Sequence, residues 1–192
     1  MNLLSGAEKE ILLKTVAQAI PNYAMQVYLL PFDLCKELET VMNSFWGGSR
    51  REGRGGIRWM KWDLLCKPKT TGGIGFKNLH DFNVAMLGKQ VWKLLKNPES
   101  LIGQILKARY FPRTSIVEAD LGHNPSFVWR SLMTAKHIIV RSSRIQVGSG
   151  QNTLIGSDPW LLDAANGFIS TSLNESLATA PVSSLMVPGQ RR

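Results

Sequence analysis

The chain has 192 residues, 44% of them hydrophobic, enough for one ordinary domain or two small ones with a packed core. Its 23 Lys and Arg against 14 Asp and Glu leave a formal charge of +9, which favours polyanionic partners, nucleic acid before an anionic membrane surface. No apolar run reaches the ~18 residues of a membrane span, and "MNLLSGAEKEILLKTVAQAIP", with Glu8 and Glu10 and no basic lead or small-residue cleavage site, argues against a secretory or organellar leader. An intracellular chain without a membrane partner is the expectation.

The first element is marked by Ser5 and Glu8, spaced as a capping box, ahead of a helix whose inward face would be Ile11, Leu12, Thr15, Val16 and Ala19 until Pro21 stops it. "PNYAMQVYLLP" reads as an apolar connector or a second short helix. "PFDLCKELETVMNSFWGG" predicts a helix from Pro31 to Gly47 with Leu34, Leu38, Val41, Met42 and Phe45 facing inward. "GGSRREGRGG" has no apolar anchors and reads as a basic loop, and a new element begins at Ile57.

"NLHDFNVAMLGKQVWKLLKNP" predicts a helix with a wide apolar face made of two rows: Phe82, Met86, Lys89, Trp92 and Leu95, then Val84, Leu87, Val91 and Leu94. Asn97 with Pro98 would close it and cap "ESLIGQILKARYF", and Asn124 with Pro125 would do the same for "SFVWRSLMTAKHIIVRSS". "RIQVGSGQNTLIGSDPW" alternates around Gly148 to Gly150, which predicts a small hairpin. From Leu162 on, a Ser-, Ala-, Thr- and Pro-rich stretch predicts a disordered tail.

The expected fold is mainly α: a helical bundle-like module with a small β-hairpin near 144–156 and a disordered C-terminal tail. By segment, 1–48 would be helical, 49–56 a basic loop, 57–143 a helical module, 144–162 the hairpin and 163–192 the tail.

The chemistry-bearing residues exclude more than they admit. "TTGGIGF" meets neither phosphate-loop spacing and reads as a tight turn. Cys35 and Cys66, with His80, His123 and His137 scattered, cannot compose a zinc site, so the thiols read as buried and reduced, with no metal and no cofactor expected. Asp33, Asp63, Asp81, Asp120, Asp158 and Asp163 stand singly, so no pair for acid/base or two-metal catalysis is legible. His80 beside Asp81 reads as a capping pair at a helix start, and His123 as a loop residue.

What remains is basic and aromatic. Arg50, Arg51, Arg54, Arg58, Lys61, Lys67 and Lys69 fall in one short span with only Glu52 and Asp63 as acids, a set able to neutralise several phosphates. They are the candidate contact for nonspecific RNA or DNA binding. Trp59 and Trp62 have two readings, bases stacking on them or one face of a helical turn packing into a core.

Five blocks then carry a resemblance: "LSGAEKEILLKTVAQAIPNYAMQVYLLP", "FWGG", "IRWMKWDLLCKPKTTGGIGFKNLHDFNVAMLGKQVWKLL", "ILKARYFPRTSIVEADLGHNPSFVWRSL" and "IQVGSGQNTLIGSDPWL". Together, over about residues 3–162, they resemble the region after the polymerase palm in plant LINE-type (non-LTR) retrotransposon reverse transcriptases, fragments of which occur in plant nuclear and mitochondrial genomes. The resemblance implies a thumb and connection scaffold. The palm with its Tyr/Phe-x-Asp-Asp motif would lie upstream, and a zinc-binding segment and ribonuclease H domain downstream. No catalytic residue transfers, and a truncated, catalytically inactive fragment is implied. A second possibility is a ligand-free fragment whose apolar helix faces, left without the palm, drive self-association. Gly156 in "LIGSDPW" stands where the family usually has tryptophan, which implies weaker packing of the hairpin.

Overall fold

The computed structural model describes residues 4–48, 60–162 and 167–186. The chain divides into two compact units, Met1–His137 and Ile138–Arg192. Among the described residues the secondary structure is helical, with no sheet and one isolated β-bridge, Leu154 with Pro181. No described helix is long and apolar enough to cross a membrane.

In the first unit the capping box is formed: Ser5 Oγ accepts the amide of Glu8 at 3.3 Å, and the Glu8 carboxylate accepts the amide of Ser5 at 2.7 Å. Helix α1 runs Gly6–Leu12 and continues as a wider π turn over Leu13–Ala17, closed by Gln18 N–H on the carbonyl of Leu13. The expected inward face is outward here. Ile11 (60% exposed), Leu12, Val16 (51%) and Ile20 (75%) face solvent, while Leu13 and Gln18 are buried. A π turn holds one residue more than an α turn, so the 3.6-residue spacing does not carry through to Val16 and Ala19; Ile11 and Leu12 lie ahead of it and are exposed on α1 itself.

After the single turn α2 (Asn22–Met25), helix α3 spans Phe32–Gly47. It too departs from expectation in part: Met42 is buried as anticipated, but most of the predicted face is not. Cys35, Glu39, Met42 and Asn43 are buried, whereas Leu34, Val41 and Phe45 are exposed and Leu38 is half-buried. Hydrophobic periodicity misses this register because its centre is a carboxylate. Glu39 accepts the amide of Leu79 at 2.8 Å and an ion pair from Lys36 at 3.0 Å, bonds that offset its burial.

The next described element is the turn α4 (Trp62–Leu65), followed by a 3₁₀ turn at Lys69–Thr71; the expected start at Ile57 lies outside the described residues. The glycine cluster is the tight turn anticipated. Gly75 N–H reaches the carbonyls of Leu65 and Lys67 at 3.0 and 2.9 Å, and a Cβ on Gly73 would stand 1.9 Å from the Lys67 carbonyl oxygen. This fold-back lays Phe76 flat on Trp62, centroids 5.0 Å apart at 8°, with Trp46 edge-on to Phe76. Leu13, Met25, Cys35, Met42, Leu65 and Leu79 complete that core.

Helix α5 (Leu79–Lys96) is capped by Asn78, whose side chain accepts the amide of Asp81. The cap is therefore not a His80–Asp81 pair; His80 instead packs edge-on against Phe32 at 5.4 Å. Leu79, Asn83, Leu87 and Val91 point inward, and Lys89 and Trp92 of the other predicted row face solvent. Asn83 is fully buried and ties down the connector: its amide donates to the carbonyls of Met25 and Tyr28 at 2.8 and 2.9 Å, and its oxygen accepts the amide of Leu30 at 2.7 Å.

Helices α6 (Leu101–Tyr110) and α7 (Phe127–Ser142) start on serines, not on Asn97 and Asn124. Ser100 Oγ accepts from Gly103 N–H and Ser126 Oγ from Trp129 N–H. Asn97 closes α5 instead. The buried Trp129 ring stacks on Tyr110 (4.6 Å, 2°) and Phe111 (5.6 Å, 16°).

In the second unit the predicted hairpin is absent. Ile145 N–H bonds to the carbonyl of Pro159, and residues 150–156 pair with residues 178–183. Val182 N–H meets Thr153 O at 2.7 Å, Ile155 N–H meets Ala180 O at 3.0 Å, and Gly156 N–H meets Ala178 O at 3.0 Å. The pairing partner is thus supplied by the stretch expected to be a disordered tail. Within it, residues 167–186 hold a turn of helix α8 (Glu175–Ala178), a 3₁₀ turn (Val182–Leu185) and a buried Val182; residues 163–166 and 187–192 lie outside the described set. Gly156 is not a packing defect. A Cβ there would come within 2.8 Å of the Ala178 Cβ, so α8 fills the space a larger residue would take.

Candidate nucleic-acid interface

Of the seven cations expected to touch phosphates, Arg50, Arg51, Arg54 and Arg58 lie outside the described residues, as does Trp59. Lys61, Lys67 and Lys69 are described and exposed. Lys61 precedes α4 in an extended conformation, φ −65° and ψ 145°. It borders a shallow pocket of 280 Å³ with Lys36, Glu39, Asn43, Met60 and Asp63. Asn43 fixes one wall by donating to the carbonyl of Met60 at 3.2 Å. Lys36 bridges the floor, paired with Glu39 at 3.0 Å and Asp63 at 3.6 Å.

Lys69 is engaged elsewhere. Its ammonium lies 2.7 Å from Glu10, the same carboxylate that Lys14 holds at 2.8 Å, and Lys14 also donates to the carbonyl of Ile74. Glu10 is held below the usual carboxylate range first by the hydrogen bond from Lys14, then by that from Lys69. Two cations sharing one acid leave a net positive spot where the 3₁₀ turn meets α1.

Trp62 belongs to the core and not to a binding face. It is 6% exposed, stacks on Phe76, and its indole N–H donates to the carbonyl of Lys77 at 3.2 Å. The thiols are poor nucleophiles. Burial, with Glu39 and Asp63 nearby, pushes Cys66 up to about 12, and burial likewise raises Cys35. Among the described residues no three His, Cys, Asp or Glu side chains cluster as metal ligands would.

The outer face of α5 was not singled out from the sequence. Lys89, Trp92, Lys93 and Lys96 all face solvent there, and Trp92 is 39% exposed with the Lys96 ammonium 5.5 Å from its ring centroid. The available signal was helical phase: Trp92 lies a quarter turn or more from the buried Leu87 and Val91.

No protein-family model matches the chain, and no solved structure does. Two curated proteins of Arabidopsis thaliana do match. The "Putative ribonuclease H protein At1g65750" is 28% identical over 197 residues, an alignment that takes in 97% of this chain but only 31% of that protein, so the chain spans about a third of it. The "Uncharacterized mitochondrial protein AtMg00310" is 38% identical over 146 residues, covering 76% of this chain and 94% of that protein. At that identity along nearly the whole of the relative, the chain belongs to the same family as this uncharacterized plant mitochondrial protein.

Proposed function

We propose that the chain is a segment derived from a plant LINE-type reverse transcriptase, without polymerase activity of its own, that retains nonspecific binding to RNA or DNA. The observation that carries this reading is the alignment of 97% of the chain with under a third of a longer protein named for ribonuclease H. That relation agrees with the resemblance of the five sequence blocks to a scaffold lying ahead of a ribonuclease H domain. The charge of +9 and the exposed Lys61 and Lys67 supply the electrostatic side. Arg50, Arg51, Arg54 and Arg58 belong to the same proposed contact, and neither cofactor nor metal enters it.

The test is a salt titration of binding between the purified chain and short RNA, DNA and hybrid duplexes. Affinity should fall steeply as salt rises, and replacing the seven cations from Arg50 to Lys69 should weaken binding and flatten the slope. An unchanged slope in that variant removes the assignment of the contact. Primer extension that a single carboxylate substitution abolishes would refute the absence of polymerase activity.

A second reading is self-association of a ligand-free fragment. It is favoured by the solvent-facing Ile11, Val16, Ile20 and Val41, four large apolar side chains each more than half exposed. Sedimentation over a range of concentrations decides it, since a monodisperse monomer throughout rejects association.

A further inference from the structure

A tryptophan on the solvent side of a helix leaves a large apolar ring in water. On α5 the inward positions Leu79, Asn83, Leu87 and Val91 define the packed side, and Trp92 lies on the other, 39% exposed. Lys89 and Lys96 lie one turn before and one turn after it on the same side, and Lys93, the next residue, projects about a quarter turn round the helix, beside a groove that Gln90 and Leu94 also line. All three are exposed, and among the described residues none makes an ion pair. The only acid of this helix is Asp81, in its first turn. Lys93 and Lys96 also suit the negative end of the helix dipole, but Lys89 lies beyond the last turn, so the dipole does not account for the set.

Cations with no carboxylate to hold them, beside a partly exposed aromatic ring over which Lys96 lies at 5.5 Å, supply what a single nucleic-acid strand requires: charge for its phosphates and a platform for a base. Lys89 to Lys96 spans about 10 Å of helix axis, close to the rise of about three stacked nucleotides. Building on the reading that the chain binds nucleic acid, we propose that the outer face of α5 is a single-strand contact, with a base stacked on Trp92 and Lys89, Lys93 and Lys96 on the flanking phosphates. A duplex keeps its bases stacked on each other and cannot offer one to Trp92, so the site favours single strands. Stacking has no hydrogen-bond code, so it accepts RNA and DNA alike.

The experiment follows fluorescence anisotropy of labelled eight-nucleotide oligo(dT) and oligo(U), and of a duplex of equal length, with the full chain at several salt concentrations. Trp92→Ala should weaken single-strand binding roughly tenfold, leave duplex binding and the salt slope in place, and be largely rescued by Trp92→Phe. The triple change Lys89→Gln, Lys93→Gln and Lys96→Gln should lower the single-strand slope by about 2. Circular dichroism confirms folding of each variant, which the exposure of all four side chains favours. Wild-type affinity in a folded Trp92→Ala chain overturns the inference. If replacing Arg50, Arg51, Arg54 and Arg58 abolishes binding while the α5 variants do nothing, this site is refuted and the broader reading stands. If the unaltered chain binds no probe at low salt, both fall.

Discussion

The buried carboxylate of Glu39, in the middle of α3, accepts the backbone amide of Leu79, the first residue of α5, at 2.8 Å. An acid at a helix start satisfies a free N–H and meets the positive end of the dipole, so one side chain joins two elements forty positions apart. Glu39→Ala should cost about 2–3 kcal/mol in chemical denaturation, because it leaves a buried donor unpaired. Glu39→Gln keeps an acceptor there and should lose less.

Asn83 should be as sensitive. Its three bonds to Met25, Tyr28 and Leu30 are made in a fully buried position, and Asn83→Ala should remove about 2–4 kcal/mol. Asn83→Asp should be no better than Ala, since a carboxylate cannot donate to the two carbonyls. Hydrogen exchange at the Leu30 amide reports the loss directly.

The thiols should resist modification while the chain is folded. With Cys66 pushed up to about 12 and Cys35 also raised by burial, almost no thiolate exists near neutrality. Ellman's reagent at mildly alkaline pH should react slowly with the native chain and rapidly with both thiols once denaturant is added. Fast reaction of the native chain contradicts the packing around α3 and α4.

Acid should loosen the contact between Lys69 and α1. Glu10 has a depressed folded-state pKa, caused first by Lys14 and then by Lys69. Its contribution is therefore present above the ordinary carboxylate pKa and disappears as pH falls through the lower, folded value. Stability curves of the wild type and Glu10→Gln should differ modestly near neutrality and converge in acid. Curves that stay parallel throughout contradict the pairing.

Gly156→Trp should displace α8, because even a Cβ at that position meets Ala178 at 2.8 Å. Limited proteolysis should then cut within residues 174–186 faster than in the wild-type chain. Gly73→Ala should destabilise in a different place, by forcing the Lys67 carbonyl away from the turn.

Helix positions and several stop signals were legible in the sequence, because Ser5, Pro21, Gly47 and Asn97 act through local backbone chemistry that needs no tertiary partner. Helix rotation was not. In α1 and in much of α3 the apolar stripes of the sequence face outward, Met42 and the half-buried Leu38 excepted, since Gln18, Glu39 and Asn43 occupy the inside and a hydrophobicity pattern assigns polar residues to solvent. The hairpin failed for another reason. The alternation after Arg144 was real, but residues 150–156 found their partner at 178–183, a long-range choice that a local turn motif does not encode. As for the candidate interface, cation density was readable, whereas the ion pairing of Lys69 with Glu10 and the outward turn of Trp92 needed three dimensions.

The bonds of Asn83 also order events in time. Met25, Tyr28 and Leu30 are synthesised more than fifty residues before the side chain that satisfies them. While the chain grows from its N-terminus, these bonds cannot form until the α5 region has emerged. A ribosome stalled before that point would carry the connector without the side chain that clasps it.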